Sequence, residues 1–412
     1  MAAFLVKDAH AIMNALVRQA TAQTDLAVVD TSSFIDAGSK VLATGTDNVM
    51  ESIAKLIGKV YVSSRPYTGK FKLISATDEQ FSTRMAKISV YARDNEESGA
   101  FNTDLNTNID DGLNDTSGAG SMWEQNIAKV VERFFLSEFA WEKSHTTPMV
   151  QLQDAFRNEA EFVAFMNGIM VEVENDIQST IEAKNRMVVA DRIAGTKLMV
   201  SKSKLGAECA VNLTKVVNDE FGTAWTTKEI LEQHNKELLE VLVAKIKIDS
   251  DRLTERTALY HDPMTIAASG SDPAYNILRH TPKASQKFMY YGELFTKAKT
   301  KVMPEIFNTE YLDMKNGESV NYWQSSKEGS RSKISIKPAL PDGAVSENVT
   351  LDYVVGILFD TDAMMVTNQF TGVYTTPVNA KHLYYNTFWH YKMGVCQDYT
   401  ENAIIYYLAD EV

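Results

Sequence analysis

The chain has 412 residues, 44% hydrophobic and 10% aromatic, enough to bury a sizeable core in two or more modules. A formal net charge of −13 and a pI near 5.1 argue against dedicated nucleic-acid binding through phosphate neutralisation. No apolar run approaches the roughly 20 residues of a membrane span, and the start MAAFLVKDAH has too short an apolar stretch for a secretory signal, which points to the cytosol.

Residues 7 to 23 carry a weak amphipathic pattern (Ile12, Leu16, Val17), and a polar stretch to about Asn48 follows. A short helix, Val49 to Leu56, is predicted before KVYVSS, FKLIS and AKISVYAR, whose alternation fits hairpin strands with RPYTG as a turn. Composition then shifts. Residues 61–93 are net +4, whereas residues 94–120 hold seven acids and no base and lack the apolar surface to fold on themselves. NIAKVVERFFLSEFAW leads back into the body, and KSHTTP is expected to break it.

The dominant feature is 158–194, read as one helix of roughly 55 Å at the α-helical rise. Asn158 and Glu161 form a capping box at its start. Phe162, Met166, Ile169, Val173, Ile177 and Ile181 make one stripe, while Glu174, Asp176, Gln178, Glu182 and Asn185 fill the opposite, exposed side. A second capping box, Thr226 with Glu229, opens a helix to about Lys247. SQKFMYYGELF reads as a strand before a helix TKAKTKVM that Pro304 stops; LDYVVGILF reads as a buried strand, and the chain's end as two aromatic-rich strands.

Catalytic signatures are absent. AGTKLMV lacks the spacing of a phosphate loop, and the glycines of Ser117–Ser121 sit in the acidic tract, where phosphate would be repelled. Asp360-Thr-Asp362 is better explained as a turn than as a cation site, and Asp249-Ser-Asp251 as a helix end. His382 and His390 have no metal-ligand spacing. Cys209 and Cys396 lie far apart without a CxxC and read as reduced thiols. Tyr384, Tyr385, Phe388, Trp389 and Tyr391, at strand spacing, read as core and interface rather than a stacking platform for a base or sugar. No cofactor, metal or enzymatic activity is expected.

The order of parts resembles the major capsid proteins of tailed bacteriophages, of the Hong Kong 97-type shell fold, an α+β architecture. VVERFFLSEFAWEKSHTTPMVQLQDAF before NEAEFVAFMNGIMVEVENDIQ is similar to the strand and spine-helix entry of capsid proteins from short-tailed phages. ILRHTPKASQKFMYYGELFTKAKTKVMPEIFNTEYLD is similar to their central module, and VVGILFDTDAMMV with YYNTFWHYKMGVCQDYTENAIIYYLAD to their closing strands. The resemblance implies an N-terminal arm at 1–48, a peripheral domain at 49–65 and 128–200 with the spine helix 158–194, and an extended loop at 66–127. It places a mainly axial domain at 201–383 and closing aromatic strands at 384–412.

The implied function is self-assembly as hexamers and pentamers into an icosahedral or prolate shell in the virion, built in the host cytoplasm around double-stranded DNA held without sequence-specific contacts. A portal is an expected partner. So is a separate scaffolding protein, because only about 45 residues precede the body; no decoration module is expected after the last strand. An encapsulin-like cargo compartment and an oligomeric binding protein or enzyme using the aromatic sheet are the alternatives. Inter-subunit contacts are expected at Arg65, Lys70, Lys72, Arg84, Asp104, Asp110, Asp111, Glu174 and Glu182, the acidic tip meeting a neighbour's basic patch and the basic root meeting acids such as those of the spine helix.

Overall fold

The structure is a computed structural model that describes residues 13–14, 37, 69–75, 85–91, 129–135, 137–150, 159–264, 276–301, 317–341 and 346–410. The readings for Ile12, Leu16 and Val17, for 49–65 and for the acidic tract 94–120 lie outside these residues, as do the side chains of Phe162, Met166 and Ile169.

Strand β1 (Met85–Tyr91) pairs antiparallel with β2 (Lys129–Phe135) in a two-stranded ribbon. Strand β3 (Ser137–Pro148) follows, and α1 (Glu159–Ser201) forms the long helix. Then come β4 (Ala210–Asn212), α2 (Leu213–Phe221), α3 (Thr227–Glu232) and α4 (Asn235–Arg252). The rest is β5 (Gln286–Tyr291), α5 (Gly292–Lys301), β6 (Gly317–Val320), β7 (Ile334–Ile336), β8 (Val349–Leu351), β9 (Tyr353–Asp360), β10 (Met364–Thr375), β11 (Tyr384–Gln397) and β12 (Ala403–Leu408). The architecture is α+β.

The sheets run β10-β11-β3 and β4-β12-β9-β5-β6, with β7-β8 as a separate pair. β9 and β12 are central in the five-stranded sheet, and every residue of β12 is buried, as its unbroken apolar run AIIYYL requires. Phe288, Phe359, Ile404, Ile405 and Tyr406 from this sheet join Leu238, Leu242 and Ile246 of α4 and Val188, Val189 and Ile193 of α1 in one core. The three-stranded sheet lies on an earlier stretch of α1, where Val173 and Ile177 are buried.

Several elements depart from the sequence expectation. α1 runs beyond residue 194 to Ser201. Gly195 is therefore a packing glycine inside the helix: a Cβ there would stand 1.9 Å from the Tyr399 hydroxyl. The polar side of α1 is covered too, so Glu174, Glu182 and Asn185 are buried rather than exposed, while Asp176 is exposed and joins Lys143 of β3.

FKLIS is no strand. Phe71 takes a left-handed φ of 65° and Lys72–Ile74 form one 3-10 turn, because the Glu318 carboxylate captures the amides of Phe71 and Leu73 and bends the segment onto the body. KSHTTP does not break β3; it continues the strand to Pro148, paired with β11. Pro148 is tolerated at the end of an edge strand, where no ladder amide is required.

The helix from Thr226 begins with its capping box but divides into α3 and α4. Asn235 Nδ2 takes the Leu231 carbonyl at 2.5 Å, the acceptor that a continuing helix needs for its own backbone. His234 at the break stacks on Trp225, ring centroids 3.6 Å apart. α5 starts at Gly292, earlier than the helix predicted from Thr296.

Candidate inter-subunit surface

The register of the ribbon decides its chemistry. Opposed residues of an antiparallel pair share a face, and successive residues alternate. Lys87 is therefore opposite Arg133, with Ser89 on the same face; Ala86 faces Phe134 and Ile88 faces Glu132 on the other. The charged face lies on the body. Its counterface is open: Ile88 is 65% exposed, Val130 62% and Phe134 46%. That is the reverse of an ordinary sheet, whose apolar face is buried and whose polar face meets water.

Two like charges opposite each other repel, so Lys87 and Arg133 need acceptors between them. The turn from β11 to β12 supplies them. Lys87 Nζ lies 2.9 Å from Asp398 and 2.6 Å from Glu401. Arg133 Nη1 lies 3.0 Å from Asp398, and its other terminal nitrogen donates to the sulfur of Met264. Arg279 adds a contact of 3.2 Å to Glu401 and donates to Ser89 Oγ at 3.1 Å. Within the turn, Thr400 donates to Asp398 through its amide at 2.9 Å and its hydroxyl at 2.6 Å. Beneath it, the buried Arg192 stacks on Tyr399 and donates to the Glu401 carbonyl at 3.2 Å.

The two acids respond in opposite directions. Burial pushes the Asp398 carboxyl up, but the Lys87 charge and the Thr400 and Lys87 hydrogen bonds outweigh it and bring it down to about 2. Burial also raises Glu401, and there Lys87 and Arg279 do not fully offset it. Burial lowers Lys87, yet the Asp398 and Glu401 charges beside it leave it raised.

A second anchor fixes the segment before the ribbon. Lys70 N donates to Glu182 Oε2 at 3.2 Å, Lys70 Nζ to the Ser319 carbonyl at 3.1 Å, and Lys287 Nζ to the Leu73 carbonyl. Arg186 pairs with Glu182 and stacks on Tyr322, 3.7 Å from its ring centroid. Phe71, fully buried, meets the edge of Trp323.

Of the residues expected at subunit contacts, Arg65, Arg84, Asp104, Asp110 and Asp111 lie outside the described residues. Lys72 is exposed. Lys70 and Glu182 are joined to each other within one subunit. Glu174 is buried and accepts from Gln178 at 2.6 Å, and burial raises its carboxyl. Within its own chain the basic root meets Glu182 of the long helix through the Lys70 amide, and Asp398 and Glu401 through Lys87. The alternation of Lys87 and Ser89 with Ile88 announced a two-faced strand. Two acids in the tight DYTE turn between apolar strands were the corresponding signal on the body, and sequence reasoning passed over both Asp398 and Glu401.

The remaining candidates have structural partners. Asp360 accepts from the Asp362 amide at 2.9 Å in the turn between β9 and β10. Asp249, in the last turn of α4, accepts from Lys245 and from the Tyr406 hydroxyl at 3.0 Å. His390 lies 3.6 Å from Glu142, and His382 stacks beside Tyr384. On β11, Tyr385 and Trp389 are buried and Tyr391 stacks on Trp141, while Tyr384 and Phe388 on the other face are half-buried. Cys209 and Cys396 are free and buried, and burial pushes both thiols up to about 12.

The chain is similar to the solved "Capsid structure of Staphylococcus phage Andhra" at 10% identity, covering 84% of this chain and 86% of that one, with a TM-score of 0.49. For the "Capsid structure of the Cyanophage P-SCSP1u" the identity is 11%, the coverage 85% and 90%, and the TM-score 0.46. These overlaps are too loose to add weight of their own, and no curated protein matches. A family model described as Phi29-like phage major capsid protein, however, matches residues 13–407, nearly the whole length. The chain therefore belongs to the Phi29-like phage major capsid protein family.

Proposed function

We propose that this shell-forming subunit is tied to its neighbour in the virion capsid through the outward face of the ribbon. One observation carries the reading: the ribbon turns its basic side chains Lys87 and Arg133 to its own body and Ile88 and Val130, with Glu132 among them, to the outside. Burying such side chains on another copy yields about 25 cal/mol per Å² of apolar surface, modest for one contact. A closed shell repeats it for every subunit, and each copy is held by several neighbours at once.

Within this reading, 66–127 is the extended loop, 158–194 the spine of the peripheral domain (49–65 and 128–200), 201–383 mainly the axial domain and 384–412 the closing strands. Lys72 and the acidic tip, with Asp104, Asp110 and Asp111, steer neighbours into register. Hexamers and pentamers form on a separate scaffolding protein, a portal occupies one vertex, and double-stranded DNA is enclosed without sequence-specific contact. The subunit is a structural protein and performs no catalysis.

The test is Ile88→Asp with Val130→Asp. Both positions are exposed, so the free subunit is expected to keep its circular dichroism and solubility while shells disappear from electron micrographs. Shells assembling at the wild-type rate would overturn the proposal. Shells that form but hold one host protein and no DNA would instead favour the cargo-compartment alternative.

A further inference from the structure

We propose that the Asp398–Glu401 turn is a detachable electrostatic latch, which holds the ribbon against its own subunit and can release it without unfolding the body. The inference deepens the reading of the ribbon as the contact arm, but the latch is a property of the single unassembled chain.

Three observations carry it. First, among the described residues no ribbon side chain is buried and none joins the hydrophobic core. The grip is polar: Lys87 on Asp398 and Glu401, Arg133 on Asp398, and Ser89 on Arg279. Secondly, the grip is lopsided in depth. The acid side chains are 1% and 8% exposed, whereas Lys87 and Arg133 are 23% and 27% exposed and within reach of solvent ions. The ribbon can leave; the acids stay where the fold holds them.

Thirdly, the acids keep partners when the ribbon goes. A buried carboxylate stripped of every donor would be so unfavourable that release would amount to unfolding. Here Asp398 retains the Thr400 amide and hydroxyl, and Glu401 retains Arg279, all of which belong to the body. In the released state Asp398 Oδ1 and Glu401 Oε1 keep their partners on the body, and Asp398 Oδ2, which faces Lys87 in the held state, is left for water to take, giving the second arrangement that a two-position element requires. On the ribbon, the β1–β2 ladder from Met85–Phe135 to Tyr91–Lys129 is internal and survives release, so the ribbon moves as a unit.

The test is pulsed electron–electron distance measurement on the full-length unassembled chain, with spin labels at Glu132→Cys on the ribbon and Glu255→Cys on the body. At low salt one narrow distance distribution is expected. It should broaden at about 1 M salt, where the screening length falls to roughly 3 Å. Lys87→Met with Arg133→Met should give the broad distribution already at low salt, with unchanged circular dichroism, while Lys87→Arg should stay narrow. A narrow distribution in the double variant would overturn the latch, because something else then holds the ribbon. So would a wild-type distribution indifferent to salt, or loss of the body fold in the double variant, which would make the cluster part of the core.

Discussion

Asp398 and Glu401 sit three residues apart in one turn and share Lys87, yet replacing them should have unequal effects. For Asp398 the folded chain prefers the ionised form: its carboxyl is held at about 2 against an ordinary 3.8. At about 1.4 kcal/mol per pH unit this corresponds to roughly 2 kcal/mol of stability. The contribution is present above pH 3.8 and lost as pH falls through about 2. Asp398→Asn should therefore cost about 2 kcal/mol at pH 7, and its stability should converge on that of the wild type towards pH 2. Glu401 has the opposite sign. Burial raises its carboxyl, so above pH 4.5 its charge becomes a growing liability to the fold as pH rises through the raised value. Glu401→Gln, which removes that charge but keeps an acceptor for Lys87, should stay within about 1 kcal/mol of wild type at neutral pH. Urea denaturation of the unassembled variants between pH 3 and pH 8 measures both. If Glu401→Gln were as damaging as Asp398→Asn, or if the Asp398→Asn deficit did not shrink in acid, the assignment of roles in the turn would be wrong.

Gly195→Ala should destabilise by about 1–3 kcal/mol, because the new methyl meets the Tyr399 hydroxyl; Tyr399→Phe in the same chain should recover much of the loss in a thermal melt. Ile177→Asp places an unpaired charge where α1 is buried under the three-stranded sheet and should abolish soluble protein, which expression at low temperature checks. Replacing 95–119 by a short Gly-Ser linker should leave the subunit folded but slow assembly, and neutralising Asp104, Asp110 and Asp111 should reduce its salt sensitivity; light scattering at low and high salt measures both, and wild-type traces would reduce the tract to a solvated loop.

Elements whose cause is local were legible in the sequence. The Thr226–Glu229 box needs only four residues, and its reciprocal bonds are present. The apolar runs of β9 and β12 could only be buried, and the Asp360–Asp362 turn needed only its own side chains. Where a distant partner decides, the local pattern misled. FKLIS alternates like a strand, but Glu318, far along the chain, takes its amides. The acids of α1 looked solvated because nothing near them in sequence shows that the segment around Lys70 and Phe71 packs over Glu182 and Asn185. The ribbon cluster is the extreme case, with Lys87 and Glu401 separated by 314 positions. A charge pattern says that a partner is needed; only the fold says which one.

Electron cryomicroscopy of the assembled shell would show whether a second copy completes the ribbon's outward face. Ile88, Val130 and Phe134 are expected to be covered by apolar side chains of an adjacent subunit, with Lys87 and Arg133 on the opposite face. A shell in which Ile88 and Val130 face solvent in every subunit would contradict it.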